Sequence, residues 1–136
     1  MSVESARKFR EATRTAFTTV ERTGTEMVGA EILFDRWTPA KYDLNDVRRH
    51  KDQLWRCCQA HDSTANPDWC PGNVAALWTA YHTTDPKHAK PYIAPTGAHD
   101  AYQENEVCIF NDTVYRCKAN ATVHDPATYP NAWEVV

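Results

Sequence analysis

A chain of 136 residues with 15 basic and 18 acidic side chains, net charge −3, has room for one ordinary domain or two very small ones, and too little for a large catalytic cleft. The charges are scattered along the chain, which leaves no electrostatic footprint for nucleic acid. The apolar runs span only a few residues and the start, MSVESARKFREA, is charged and amphipathic, so neither a membrane span nor a signal peptide is expected.

The first predicted element is a helix from about Val3 to Val20, capped by Ser2, with Glu4 in its first turn and with Arg22 and Gly24 marking its end. Ala6, Phe9, Ala16, Phe17 and Val20 recur at helical spacing, while Arg7, Lys8, Glu11 and Arg14 cover the remaining circumference. A helix of about five turns is marginal alone in water, so this stripe requires a partner: the rest of the chain, or the same helix in other copies.

Next comes an internal repeat. Laying YDLNDVRRHKDQLWRC, Tyr42 to Cys57, over YQENEVCIFNDTVYRC, Tyr102 to Cys117, gives six identities in sixteen positions at a constant offset of 60. Asp46 with Glu106, Leu54 with Val114 and Trp55 with Tyr115 are conservative replacements in the same register, and each copy closes on a tryptophan, Trp78 or Trp133. Both blocks read as β-hairpins, with Lys51, Asp52 and Gln53, or Asn111 and Asp112, as the turn. Alternation then puts Trp55 and Cys57, like Tyr115 and Cys117, on the inner face, and Arg56, Cys58, Arg116 and Lys118 on the other. Between the copies, residues 82–97 hold three prolines and no strong periodicity, the composition of a stiff connection. The expected division is therefore a helix at 1–23, a first module at 24–81, a linker at 82–97 and a second, divergent module at 98–136, mainly antiparallel β overall.

Five cysteines are an odd number, so at least one stays unpaired, and without an export signal the chain is expected to be made in a reducing cytoplasm. A Cys108–Cys117 disulfide is geometrically open, since both flank the second turn. Cys57, Cys58, His61 and Cys70 are zinc-ligand types within fourteen residues. Adjacent strand residues point to opposite faces, however, and Cys57 has a repeat partner, Cys117, around which no cluster exists, so packing explains it and no metal or other cofactor is expected. Catalysis lacks a constellation as well: no nucleophile stands beside a base, and the six histidines are dispersed.

The run LWRCCQAH, Leu54 to His61, a polar loop, and WCPGNVAALW, Trp69 to Trp78, together resemble the chitin-binding type 3 domain, carbohydrate-binding module family 5/12. The second copy, VYRCKANATVHDPATYPNAWEVV, is looser and lacks the Trp-x-Pro element. Such second-type modules behind a short N-terminal helix are similar to proteins of bacteriophage tails and virions. The resemblance implies two tandem carbohydrate-binding modules without catalytic activity. In it Trp69 is an exposed ring that stacks a sugar, Trp78 is buried, and His61 fixes a loop. Asp68, Asn66 and Gln59 are candidate polar contacts to the same sugar; in the second copy Tyr129 would have to substitute from elsewhere in the loop, because His124 stands nine residues before Trp133. Trp37, Trp55, Trp78 and Trp133 are expected in the cores, since modules this small need large side chains to bury.

Stacking is the physical basis of this expectation, because the axial C–H face of a pyranose is apolar. One ring covering about 100 Å² gains at most about 2.5 kcal/mol, whereas a Kd near 1 mM needs about 4 kcal/mol. Useful adhesion therefore asks for several copies. The expected partners are a polysaccharide or cell-surface glycan and copies of the same chain, a trimer among the options, or other virion proteins, with no nucleic acid and no membrane. The expected location is the virion.

Overall fold

The computed structural model describes residues 3–136. Ser2, the expected cap of the first helix, lies outside the described residues. Helix α1 runs over Val3–Thr18, two residues short of the expected end. The hydroxyls of Thr18 and Thr19 donate back to the carbonyls of Arg14, Thr15 and Ala16 and Arg22 Nε donates to the Phe17 carbonyl, which draws the chain out of the helix. Gly24 begins a second helix, α2 (Gly24–Gly29), instead of ending the first. Its signal is Thr23-x-x-Glu26, a capping box: Thr23 Oγ1 accepts from Glu26 N, and Glu26 Oε1 accepts from Thr23 N, both at 3.1 Å.

Eight short strands follow: β1 (Lys41–Tyr42), β2 (Val47–His50), β3 (Gln53–Cys57), β4 (His61–Asp62), β5 (Trp78–Ala80), β6 (Val107–Phe110), β7 (Thr113–Cys117) and β8 (Trp133–Val135). They make an antiparallel sheet in the order β2-β3-β5, another in the order β6-β7-β8, and a small β1-β4 pair. Pairing repeats row for row: Val47 faces Arg56 as Val107 faces Arg116, and Cys57 faces Trp78 as Cys117 faces Trp133. Both turns have two residues with positive φ, Lys51 and Asp52 in one and Asn111 and Asp112 in the other, the type I′ geometry whose twist matches the strands.

Each unit has its own core. Tyr42, Trp55, Cys57, Leu77 and Trp78 form the first, and Tyr102, Cys108, Cys117, Ala132 and Trp133 the second. Trp55, Cys57 and Cys117 thus lie inward as alternation requires. A third cluster has no counterpart in the repeat: Met27, Phe34, Val47 and Leu54 join the helical segment to the outer face of the first sheet, with Phe17 against it. This burial needs Leu54, which is fully enclosed, to point away from Trp55 and Cys57. The helix stripe meets the body only at its C-terminal end; Phe9 is 68% exposed.

The stretch 82–97 carries backbone pairing rather than running free as an extended connection. His82 stacks on Tyr102 with centroids 4.0 Å apart, Thr83 bridges Val107, and Pro91 bridges Ile109 as Arg36 bridges Arg49. Tyr92 packs into the second core and Ile93 against the first. Prolines permit this because each sits where no ladder donor is asked of it. Cys108 and Cys117 share the inner face in different pairing rows, opposite Tyr115 and Trp133, and all five cysteines are free.

Candidate functional site

The loop between β4 and β5 is built to present Trp69. Ser63, fully buried, ties its start down: Ser63 Oγ donates to the Ala40 carbonyl at 2.9 Å and accepts from Ala40 N at 3.1 Å. Asn66 precedes a proline and stays out of the helical region, at φ −133° and ψ 75°, and Pro67–Trp69 then form one 3-10 turn closed by Trp69 N donating to the Asn66 carbonyl. On the far side Asn73 Nδ2 donates to the Asp68 carbonyl at 3.1 Å. Gly72, at φ +94°, then passes over the Trp55 ring, a conformation that glycine alone adopts at no steric cost.

Trp69 emerges 37% exposed. Its ring stands edge-on to His61, with centroids 6.5 Å apart, and His61 in turn stands edge-on to Trp78 at 5.8 Å and tilted on Tyr42. A chain of rings thus roots the exposed indole in the core. His61 is oriented by its own loop, its Nδ1 lying 2.7 Å from the Gln59 carbonyl, so that nitrogen carries the hydrogen.

Of the predicted contact residues, Asn66, Asp68 and Trp69 share this one turn, Asp68 exposed and Asn66 half-buried. Gln59 joins them indirectly, through the carbonyl that holds His61; its side chain is on the surface. Tyr129 belongs to the other unit. It occupies the place of Val74, since Ala132 N donates to the Tyr129 carbonyl as Leu77 N does to that of Val74, and it is 50% exposed beside His124. In the second unit a histidine also stands edge-on to the exposed ring, His124 against Tyr129 with centroids 6.5 Å apart, but among the described residues His124 makes no ring contact with that unit's core. Where His61 contacts the Gln59 carbonyl, the Thr122 hydroxyl donates to the equivalent carbonyl of Ala119.

Among the zinc-ligand types, Cys57 Sγ donates to the Gln59 carbonyl and lies 3.7 Å from His61 Nδ1. Cys58 turns to the opposite side, its thiol against the Arg56 carbonyl. Burial pushes both thiols above their ordinary pKa. Among the described residues no three histidine, cysteine or carboxylate side chains gather as a metal would require.

Trp37, expected in the core, has a second aspect that its composition did not announce. It packs on the first core yet also lines a cleft of about 400 Å³ that runs between residues 31–37, the β2-β3 turn and Lys90. The available signal was the pair Arg36-Trp37 together with Lys51 at the turn.

Residues 36–79 match the family model of carbohydrate-binding module family 5/12, about a third of the chain, which covers the first unit from its opening segment through β5. No curated protein matches the chain. The match supports carbohydrate binding by the first unit, in a family that is typically non-catalytic.

Proposed function

We propose that the chain is a non-catalytic adhesion protein, a bacteriophage structural component carried in the virion, that attaches to a cell-surface or cell-wall polysaccharide. The observation that carries this is the Trp69 indole, held out on a braced turn within the matched unit. Its flat face stacks the apolar face of one sugar, and Asn66, Asp68 and Gln59 meet the hydroxyls. The second unit is a tandem module of the same ancestry that keeps the scaffold. Similarity of that unit and the leading helix to phage tail and virion proteins supports the setting. A single stacked ring accounts for about 2.5 kcal/mol, so attachment relies on several copies in one particle.

Retention of the purified chain on insoluble chitin tests the proposal. Trp69→Ala should weaken it by roughly sixtyfold, the equivalent of that stacking energy, while the variant stays folded by circular dichroism. Equal retention of the variant refutes the platform.

A second reading, an assembly element such as a fibre or decoration protein that binds no sugar, is favoured by one specific observation. Helix α1 leaves Val3 and Phe9 bare, at 89% and 68% exposure, as a stripe free to meet other copies. In that case Phe9→Glu dissociates a multimer seen by light scattering, and Trp69→Ala changes nothing.

A further inference from the structure

The cleft beside Trp37 has a composition unlike the Trp69 platform. Trp37 and His50 meet edge-on at its floor, with centroids 5.6 Å apart, and the buried Trp37 Nε1 and His50 Nε2 find no hydrogen-bond partner among the described residues. Buried polar atoms are normally satisfied, but among the described residues His61 Nε2 and Trp78 Nε1 beneath the Trp69 platform are unsatisfied too, so it is the charge around the Trp37 cleft that sets it apart. Burial, and then the neighbouring Lys51 charge, lower the His50 pKa and favour a neutral ring.

Charge is the second feature. Four cationic side chains line the cleft against two carboxylates, in a chain whose net charge is −3. Glu31 is already engaged by Lys90. Arg49 directs its Nε to the Phe34 carbonyl at 2.8 Å. Arg36 and Lys51 are exposed and have no ion-pair partner among the described residues. Two unspent cations beside a partly exposed indole make a site with both an apolar face and an anion-binding rim. A volume of about 400 Å³ is within the range of small-ligand pockets.

We infer that this cleft is a second saccharide subsite, selective for a sugar that carries a carboxylate or phosphate. The pyranose face lies on Trp37, and Arg36 and Lys51 bind the acid, Arg36 in the bidentate manner of a guanidinium. A neutral sugar would leave both cations unused, and a bare polyanion would leave the indole unused. The inference rests on the carbohydrate reading above but not on Trp69, and it makes the preferred polymer an acidic one.

Affinity electrophoresis of the full chain, through gels holding polygalacturonate, wall teichoic acid or a neutral soluble chitin derivative, separates the possibilities. The double variant Arg36→Glu/Lys51→Glu alters exposed residues and keeps the fold. It should weaken binding to at least one acidic polymer roughly tenfold at low salt and far less at high salt, with chitin retardation unchanged. Trp69→Ala should do the converse. A polymer bound through carboxylate and one bound through phosphodiester are told apart by which of the two acidic gels retards the wild type. The inference is overturned if neither acidic polymer retards the chain, if the double variant migrates like wild type, or if polyglutamate competes as well as the sugar polymers, which would mean charge alone. Loss of chitin binding by the wild type, with the acidic discrimination intact, would defeat the Trp69 platform and leave the cleft standing.

Discussion

The two units share a hairpin of the same register and turn and differ in what surrounds it. In each, the asparagine before β2 or β6 has positive φ, the strand-ending cysteine thiol donates to the carbonyl two residues on, and the next residue's N–H bonds to the residue before the closing tryptophan. Yet twenty residues separate Cys57 from Trp78 and fifteen separate Cys117 from Trp133. The five extra residues lengthen the first loop, which carries the Pro67–Trp69 turn, while the shorter loop keeps one 3-10 turn, Pro130–Ala132, directly before β8. The outer faces differ as well: Leu54 is fully enclosed under the helical segment, whereas its counterpart Val114 is only half-buried and Val136 is 52% exposed. The hairpin is scaffold, and loop length and cover decide what each unit can do.

The largest effect should come from removing that cover. Leu54→Ala is expected to cost about 2–5 kcal/mol, and Val114→Ala, on the open face, about 1 kcal/mol or less, by urea denaturation; equal losses would break the contrast. Gly24→Ala comes next, because a Cβ there would lie 2.2 Å from the His82 carbonyl oxygen, a backbone atom that cannot swing aside. We expect a cost of about 1–3 kcal/mol and loosening of His82 from Tyr102, visible as altered near-ultraviolet circular dichroism.

Thiol chemistry sharpens the comparison further. Burial, with Cys117 beside it, pushes the Cys108 pKa from 9.0 up to about 12. Because the folded value is the higher one, the associated stability is whole below pH 9.0 and is lost as the pH climbs towards about 12. At pH 8 iodoacetamide should modify Cys108 only after opening, and, with a single-sided cover, Cys108 and Cys117 should react at lower urea than Cys57. Earlier reaction of Cys57 would reverse the order of stability. The smallest effect is expected at Ala121, φ +57°, where Ala121→Gly should stabilise the second unit by about 0.5–1 kcal/mol in thermal melts.

The repeat, the hairpins and their inner faces were legible in the sequence, because strand alternation and the register of Tyr42–Cys57 over Tyr102–Cys117 depend only on local order. The third cluster was not. Its pattern depends on Met27 and Phe34 meeting Leu54 from a distant part of the chain, and the Thr23–Glu26 capping box that starts α2 was masked by reading Gly24 as a stop. The pairing of residues 90–93 was hidden for a related reason: they match residues 35–38 at an offset of 55, not 60, so the hairpin alignment passes over them. At the site, Trp69 was legible through the resemblance its segment carries, whereas the cleft at Trp37 assembles from three separated segments, of which only the neighbours Arg36 and Trp37 stand out locally.

The most direct test of the account is a titration with soluble N-acetylglucosamine oligomers, followed through the indole N–H resonances of the five tryptophans. The Trp69 signal should shift progressively, with that of Trp133 unmoved. Shifts at Trp133 as large as those at Trp69, or none at Trp69, would contradict it.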